Sequence, residues 1–312
     1  MERMMYDEDV IKGFFSDCQL RQLSAGTIRH YRSVLRTFTS YLTRNGRGVR
    51  DAGREDFKGY IGYLLDTDHS YKTVENHFAA LSTLYDYLVY EGLVPHNHVL
   101  DIRKRYLKRY KDDVRDRKRK LISVEEMSML VNSIMDVRDR AMVLLFAKTG
   151  LRRRELVSLN INDIDLVRLT ATIPRAATKK RSNLTVFFDY ETANVLKKWL
   201  DRRQELAKSE ALFVSSETGE RLTGSGVYQA VVKWATKVGL HDPTSKNIEN
   251  HFTPHCCRHW FTTHLIRAEM RREYVKELRG DARREAMDLY HHIDMEELKK
   301  EYLACIPKLG VE

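Results

Sequence analysis

Thr149-Gly150-Leu151-Arg152-Arg153-Arg154-Glu155-Leu156, residues 149–156, decides how the rest of the chain is read. The run before it, residues 141–147, is apolar and reads as a helix. Gly150 breaks that helix, and Arg152 falls where a new one begins. An arginine there can turn its planar fork toward a phosphate, and Glu155, one turn on, can hold that side chain in place. Taken alone, three arginines at a helix start are better read as simply facing water. The stretch needs partners elsewhere in the chain.

The next unusual string is His255-Cys256-Cys257-Arg258. A histidine and an arginine three apart share one helical face, so both can reach a single anion. The same region invites a zinc reading, with His251, His255, Cys256, Cys257, His259 and His264 close together. It has no Cys-x-x-Cys pair and no second ligand cluster, and adjacent cysteines on a helix point about 100° apart. The metal reading is therefore the weaker one. Tyr290, in Asp288-Leu289-Tyr290-His291-His292, is by itself an ordinary aromatic.

Working outward, 312 residues suggest two domains. After Ser24, an N-cap residue, Ile28, Tyr31, Leu35, Phe38 and Leu42 recur at steps of three and four and mark one helix. Val74, Phe78, Leu81, Tyr85 and Leu88 mark a second, closing before Gly92 and Pro95, with a shorter helix around residues 62–65. Between Arg103 and Lys120 eleven Lys and Arg stand against three Asp, so much of the net charge of +10 sits in one short segment. Charge runs are usually solvated faces, but a strap between two domains that tracks DNA explains the position of this one.

Beyond it, Ser123 to Glu126 has capping-box form and opens another helix. Residues 170–173 and 184–188 are β-rich runs around a polar turn at 178–183, which predicts a hairpin. Helices are expected again over 191–200, 227–238, 258–268 and 295–305.

Several classes are excluded. No run of eighteen apolar residues exists, so no membrane span is expected. The acidic start (Glu2, Asp7, Glu8, Asp9) lacks the apolar stretch of a signal peptide. Cys18, Cys256, Cys257 and Cys305 make no disulfide framework. A cytoplasmic protein with a polyanionic partner is expected.

The separate strings line up with one family. Gly150 to Leu156 resembles the first arginine box of the tyrosine recombinases, the phage integrase and Xer group, and Thr253-Pro254-His255-x-x-Arg258-His259 resembles their His-x-x-Arg box. In that family a His or Trp follows the second arginine by 23 residues, and the nucleophilic tyrosine comes nine later; here those positions are Asp281 and Tyr290. Leu23-Ser24-x-x-Thr27-Ile28-x-x-Tyr31 and Leu81-Ser82-x-x-Tyr85-Asp86-Tyr87-Leu88 resemble the family's core-binding half.

The resemblance implies a mainly α protein with a small β-sheet. A helical core-binding (SAM-like) domain would span 1–102, a basic linker 103–121 and an α+β catalytic domain 122–312, clamping double-stranded DNA at a specific core site. It implies catalysis by Arg152, Lys180, His255, Arg258 and Tyr290 through a 3′-phosphotyrosine, without cofactor or metal, in a homotetramer on two DNA sites. Glu155 and Asp281 would support the site.

Two positions depart from the pattern. Residues 178–183 lack the family's usual flanking glycines, so Lys179 rivals Lys180, which is preferred because residues 180–189 resemble archaeal members. Asp281 is an acid where the family keeps a donor, and near a phosphate an ionised carboxylate repels. It is therefore expected to turn away and pair with Arg279, Arg283 or Arg284 as a structural latch. Two other classes share these residues: a type IB topoisomerase, which relaxes DNA without exchanging strands, and a DNA-binding protein whose catalysis is impaired.

Overall fold

The computed structural model describes residues 2–107, 121–174, 184–245, 247–281 and 293–311, with side chains from Asp7 onward. The chain divides into two compact units, Met1–Arg115 and Asp116–Glu312. Among the described residues, no helix is long and apolar enough to cross a membrane.

The first unit is helical: α1 (Glu2–Leu20), α2 (Ala25–Arg44), α3 (Arg54–Asp66), α4 (Tyr71–Tyr90) and α5 (His98–Tyr106). The Ser24 hydroxyl caps α2 by accepting the Thr27 N–H at 3.0 Å, as its place before the periodic run predicts. The apolar faces meet in an aromatic core, with Phe38 and Phe57 stacked at 5.8 Å and Tyr85 edge-on to Phe57 at 5.1 Å. Such rings contribute through buried area and through edge-to-face geometry. Tyr60 hydrogen-bonds His77 Nδ1 at 2.9 Å, and burial pushes the His77 imidazole down to about 4, which keeps it neutral in the core.

Two helices here were not expected. Helix α1 buries Val10, Phe14 and Cys18, one residue per turn on a face too narrow to stand out against its acidic neighbours. Helix α5 is capped by the Asn97 side chain, which accepts the Val99 N–H at 3.0 Å. It carries Arg103, Lys104 and Arg105, the first residues of the expected linker, and Leu107 beyond it is buried in this core. The basic side chains lie toward solvent while Ile102 and Leu107 anchor the backbone. The rest of the basic segment, residues 108–120, lies outside the described residues.

The second unit contains α6 (Val124–Ser133), α7 (Val137–Thr149), α8 (Arg153–Ser158), β1 (Ile164–Asp165), β2 (Thr170–Ile173), β3 (Leu184–Phe187), α9 (Tyr190–Arg203), α10 (Gly224–Lys237), α11 (Pro254–Arg267), α12 (Arg272–Arg279) and α13 (Met295–Cys305). Ser123 and Glu126 form the capping box of α6, with bonds of 3.1 and 2.7 Å. The hairpin β2–β3 pairs antiparallel with Thr170 opposite Phe187 and Ile173 opposite Leu184, and β1 adds a short edge. Residues 141–149 of α7 are buried all round, which defines a central helix packed on α9 and α11.

Lys148, in the last turn of α7, is fully buried yet charged-paired. Its Nζ lies 2.5 Å from Asp189, 2.7 Å from Glu191 and 2.6 Å from the Pro307 carbonyl. Helix α13 packs on its own unit, with Leu298 and Tyr302 buried and the Tyr302 hydroxyl donating to the Lys148 carbonyl at 2.7 Å.

Candidate active site

The site is built at the C-terminal end of α7. Gly150 closes that helix at φ 64°, in the left-handed region. A Cβ there would sit 2.4 Å from Cδ1 of Phe261 on α11. Glycine is thus required twice, by conformation and by the closeness of the Phe261 ring. Gly150→Ala is expected to destabilise the second unit by roughly 2–4 kcal/mol, combining left-handed strain with overpacking. The urea midpoint of the second unit measures this; an unchanged midpoint would mean that the turn and ring give way freely.

Arg152 stands at the N-cap of α8 and is held from one side by Glu155, a buried carboxylate. The Arg152 backbone N–H donates to Glu155 Oε2 at 2.8 Å, and Nη1 donates to Oε1 at 2.9 Å. Both bonds orient the arginine, whose side chain remains 42% exposed. The sequence-based reading of Glu155 as its support has this geometry behind it.

Arg258 comes from α11, which begins at Thr253 with Pro254 in its first turn. The side chain is buried: Nη1 donates to the Gly150 carbonyl at 2.7 Å, and Nη2 to the Arg279 carbonyl at 2.9 Å. Burial, followed by the charges of Arg152 and Arg279, pushes its guanidinium down to about 10, so it stays protonated at neutral pH. The turn at Gly150 therefore links the two arginines, positioning one by sequence and receiving the other through its carbonyl. His255 lies one turn earlier, exposed, with its ring edge-on to His259 at 4.7 Å.

Asp281 faces the arginines. Its Oδ1 accepts from Arg258 Nη2 at 3.3 Å and lies 3.6 Å from Arg152 Nη2, while Oδ2 lies 3.2 Å from Arg279 Nε. Pairing with Arg279 was anticipated, but turning away was not what happens. The turn after α12 delivers the carboxylate to both arginines of the site, because Arg258 reaches across to the Arg279 carbonyl beside it. The role of the Gly150 carbonyl went unread, since backbone acceptors leave no mark in side-chain identity.

Lys179, Lys180, Tyr290, Arg283 and Arg284 lie outside the described residues. The histidine and cysteine ligands considered for zinc do not converge. His251 Nε2 is 2.7 Å from the Ser245 carbonyl, His264 Nε2 is 3.3 Å from the Ile122 carbonyl, and burial pushes the Cys257 thiol far up. Among the described residues three such ligands come together only in the first unit, at His96, His98 and Asp101, where Arg54 already pairs with the carboxylate at 2.9 Å.

Two arginines therefore meet one carboxylate oxygen on a mostly helical α+β unit that follows a helical unit in the chain. The Phage integrase family matches residues 120–297, and the phage integrase N-terminal SAM-like domain matches residues 11–92. A tyrosine recombinase XerC of Roseiflexus sp. (strain RS-1) is 30% identical, covering 88% of this chain and 85% of the relative. Among solved structures, the Tn1549 transposon integrase in complex with transposon right end DNA matches at TM-score 0.68 and 18% identity, over 94% of this chain and 98% of that one. A lambda integrase tetramer bound to a Holliday junction matches at TM-score 0.65 and 15% identity, over 95% and 77%. The chain belongs to the phage integrase family, the tyrosine recombinases, site-specific enzymes that cut and rejoin DNA.

Proposed function

We propose that Arg152 and Arg258 bind the two non-bridging oxygens of the scissile phosphate and that Tyr290 is the nucleophile. The observation that carries this reading is the convergence of both guanidiniums on one carboxylate oxygen. A pentavalent phosphorane bears more charge than the diester, so fixed cations stabilise it more than the ground state. Tyr290 Oη attacks phosphorus as its proton passes to His255 or to water, the P–O5′ bond breaks, and Lys180 gives the leaving oxygen its proton. His255 adds a donor or exchanges a proton. The cations lower the tyrosine pKa from its usual value near 10. The product is a 3′-phosphotyrosine that keeps the energy of the broken bond, so no cofactor is needed for rejoining.

The partner is double-stranded DNA carrying a specific core site, contacted by both units and by the basic segment 103–121. The division expected from the sequence, 1–102 and 122–312, is kept with one change: the first unit's core extends through α5 to Leu107. Phosphate contacts of that segment give an affinity that falls with salt. A homotetramer on two DNA sites is supported by the fold shared with lambda integrase, solved as a tetramer on a Holliday junction. We place this work in the cytoplasm.

The test begins by mapping the DNA that becomes covalently attached to Tyr290 in cells. A suicide duplex carrying that sequence is then incubated with the protein in EDTA. A protein–DNA adduct at Tyr290 and strand transfer between paired sites are expected. Relaxation without transfer would point to a topoisomerase, and absence of any adduct to a protein that only binds.

A further inference from the structure

An anion already lies between the two arginines in this structure, and it is a side chain of the protein itself. We propose that Asp281 is an internal stand-in for the scissile phosphate: its carboxylate holds Arg152 and Arg258 side by side, and the phosphate displaces it on binding. The inference rests on the reading of Arg152 and Arg258 as the phosphate ligands, and it replaces the latch expected from sequence.

Arg152 has one arm committed to the protein and one directed at Asp281, while Arg258 shares its Nη2 between the Arg279 carbonyl at 2.9 Å and Asp281 at 3.3 Å. Nη1 of Arg152 is on Glu155, and Nη1 of Arg258 is on the Gly150 carbonyl. The two Nη2 groups approach the same Oδ1, at 3.6 and 3.3 Å, which puts the carboxylate where an anion meets both cations. A carboxylate and a phosphodiester each carry one negative charge and compete for the same N–H groups. With nothing between them the two cations repel, and Arg152 is among the charges opposing the protonated form of Arg258. Asp281 offsets that repulsion while the pair waits.

The carboxylate is also placed to leave. Its side chain is 32% exposed and lies beside Arg152, itself 42% exposed. The Asp281 N–H is tied to the Lys276 carbonyl at 3.1 Å, just after the left-handed turn at Gly280, so the backbone can stay while the side chain rotates. Arg279 Nε, 3.2 Å from Oδ2, gives the displaced carboxylate a second cation to rest on. A small anion must compete with Asp281 unaided. A DNA strand held by many other phosphate contacts has binding energy to spare for the exchange.

The experiment is thermal unfolding of the full chain, with inorganic phosphate exchanged for chloride at constant ionic strength. Ligand that binds only the folded state raises the midpoint in proportion to its occupancy. In Asp281→Asn the half-saturating phosphate concentration should fall about tenfold, because a fixed like charge beside the ligand has been removed. Asp281→Ser should shift it in the same direction, and Asp281→Glu should return it toward the wild-type value. A neutral variant that folds yet needs as much phosphate as the wild type would overturn the stand-in and leave a structural latch. Arg152→Gln should abolish the phosphate response in every background. If the response survives there, the arginine pair is not the anion site, and the underlying reading fails with the proposal.

Discussion

Tyr290→Phe is expected to bind duplex DNA as the wild type does and to leave no strand attached to protein. The substitution removes one oxygen and leaves Arg152 and Arg258 unchanged, so phosphate contacts persist. Without the attacking oxygen the covalent step should slow by at least about 10⁴-fold, roughly 5.4 kcal/mol of barrier at 1.36 kcal/mol per tenfold. A suicide duplex on a denaturing gel measures it. A persisting adduct would place the nucleophile elsewhere, and the buried tyrosines of the second unit are poor substitutes. Tyr302 is fully buried, its hydroxyl bonded to the Lys148 carbonyl, and burial holds its pKa well above the ordinary value. The Tyr274 hydroxyl is committed to Glu297 at 3.0 Å.

The second large effect falls on stability. Lys148→Met should cost the second unit about 3–5 kcal/mol, because it strands Asp189 and Glu191 in the interior without their cation. Methionine fits the apolar stem but offers nothing to the two carboxylates or to the Pro307 carbonyl. Glu191 meanwhile accepts the Leu309, Gly310 and Val311 N–H groups at 2.9, 2.7 and 3.2 Å, tying the C-terminal tail down. The variant should therefore show a lower urea midpoint and faster proteolysis beyond α13. A loss below about 1 kcal/mol, within the range of ordinary surface changes and modest ones, would mean that the apolar anchors Leu309 and Val311 hold the tail alone.

The same network sets an acid limit. Burial pushes the Glu191 carboxyl up, but Lys148 and the tail N–H groups together hold it below its ordinary 4.5. A depressed carboxylate contributes stability above its unfolded pKa and loses it as pH falls through the folded value. Stability of the wild type should thus fall off below about pH 4.5, whereas Lys148→Met should lose less or even gain as pH falls, because protonation relieves the carboxylates left without their cation.

Much of this was legible in the residues. Ser24, Ser123 and the Gly150 break mark helix ends because caps and left-handed turns demand particular side chains within a few residues. Periodic apolar positions gave α2 and α4, and β-rich runs gave the β2–β3 hairpin. Helix α1 was not read, because an apolar row one residue wide, Val10, Phe14 and Cys18, becomes a face only once α2 and α4 cover it. Helix α5 was lost in the basic run, where charge masked Ile102 and Leu107.

What the sequence determined by itself was the kind of chemistry. Arg152, His255, Arg258 and Tyr290 stand at spacings that identify the family, since a phosphoryl-transfer site tolerates few residue types and their order along the chain is kept by the fold. Which groups share an ion was decided only by tertiary structure. Arg258 reaches the Gly150 carbonyl 108 positions away, Lys148 reaches Pro307 across 159, and Asp281 enters the arginine pair instead of leaving it. Those contacts depend on where helix ends meet in three dimensions, and burial then makes each unpaired charge too costly to leave alone.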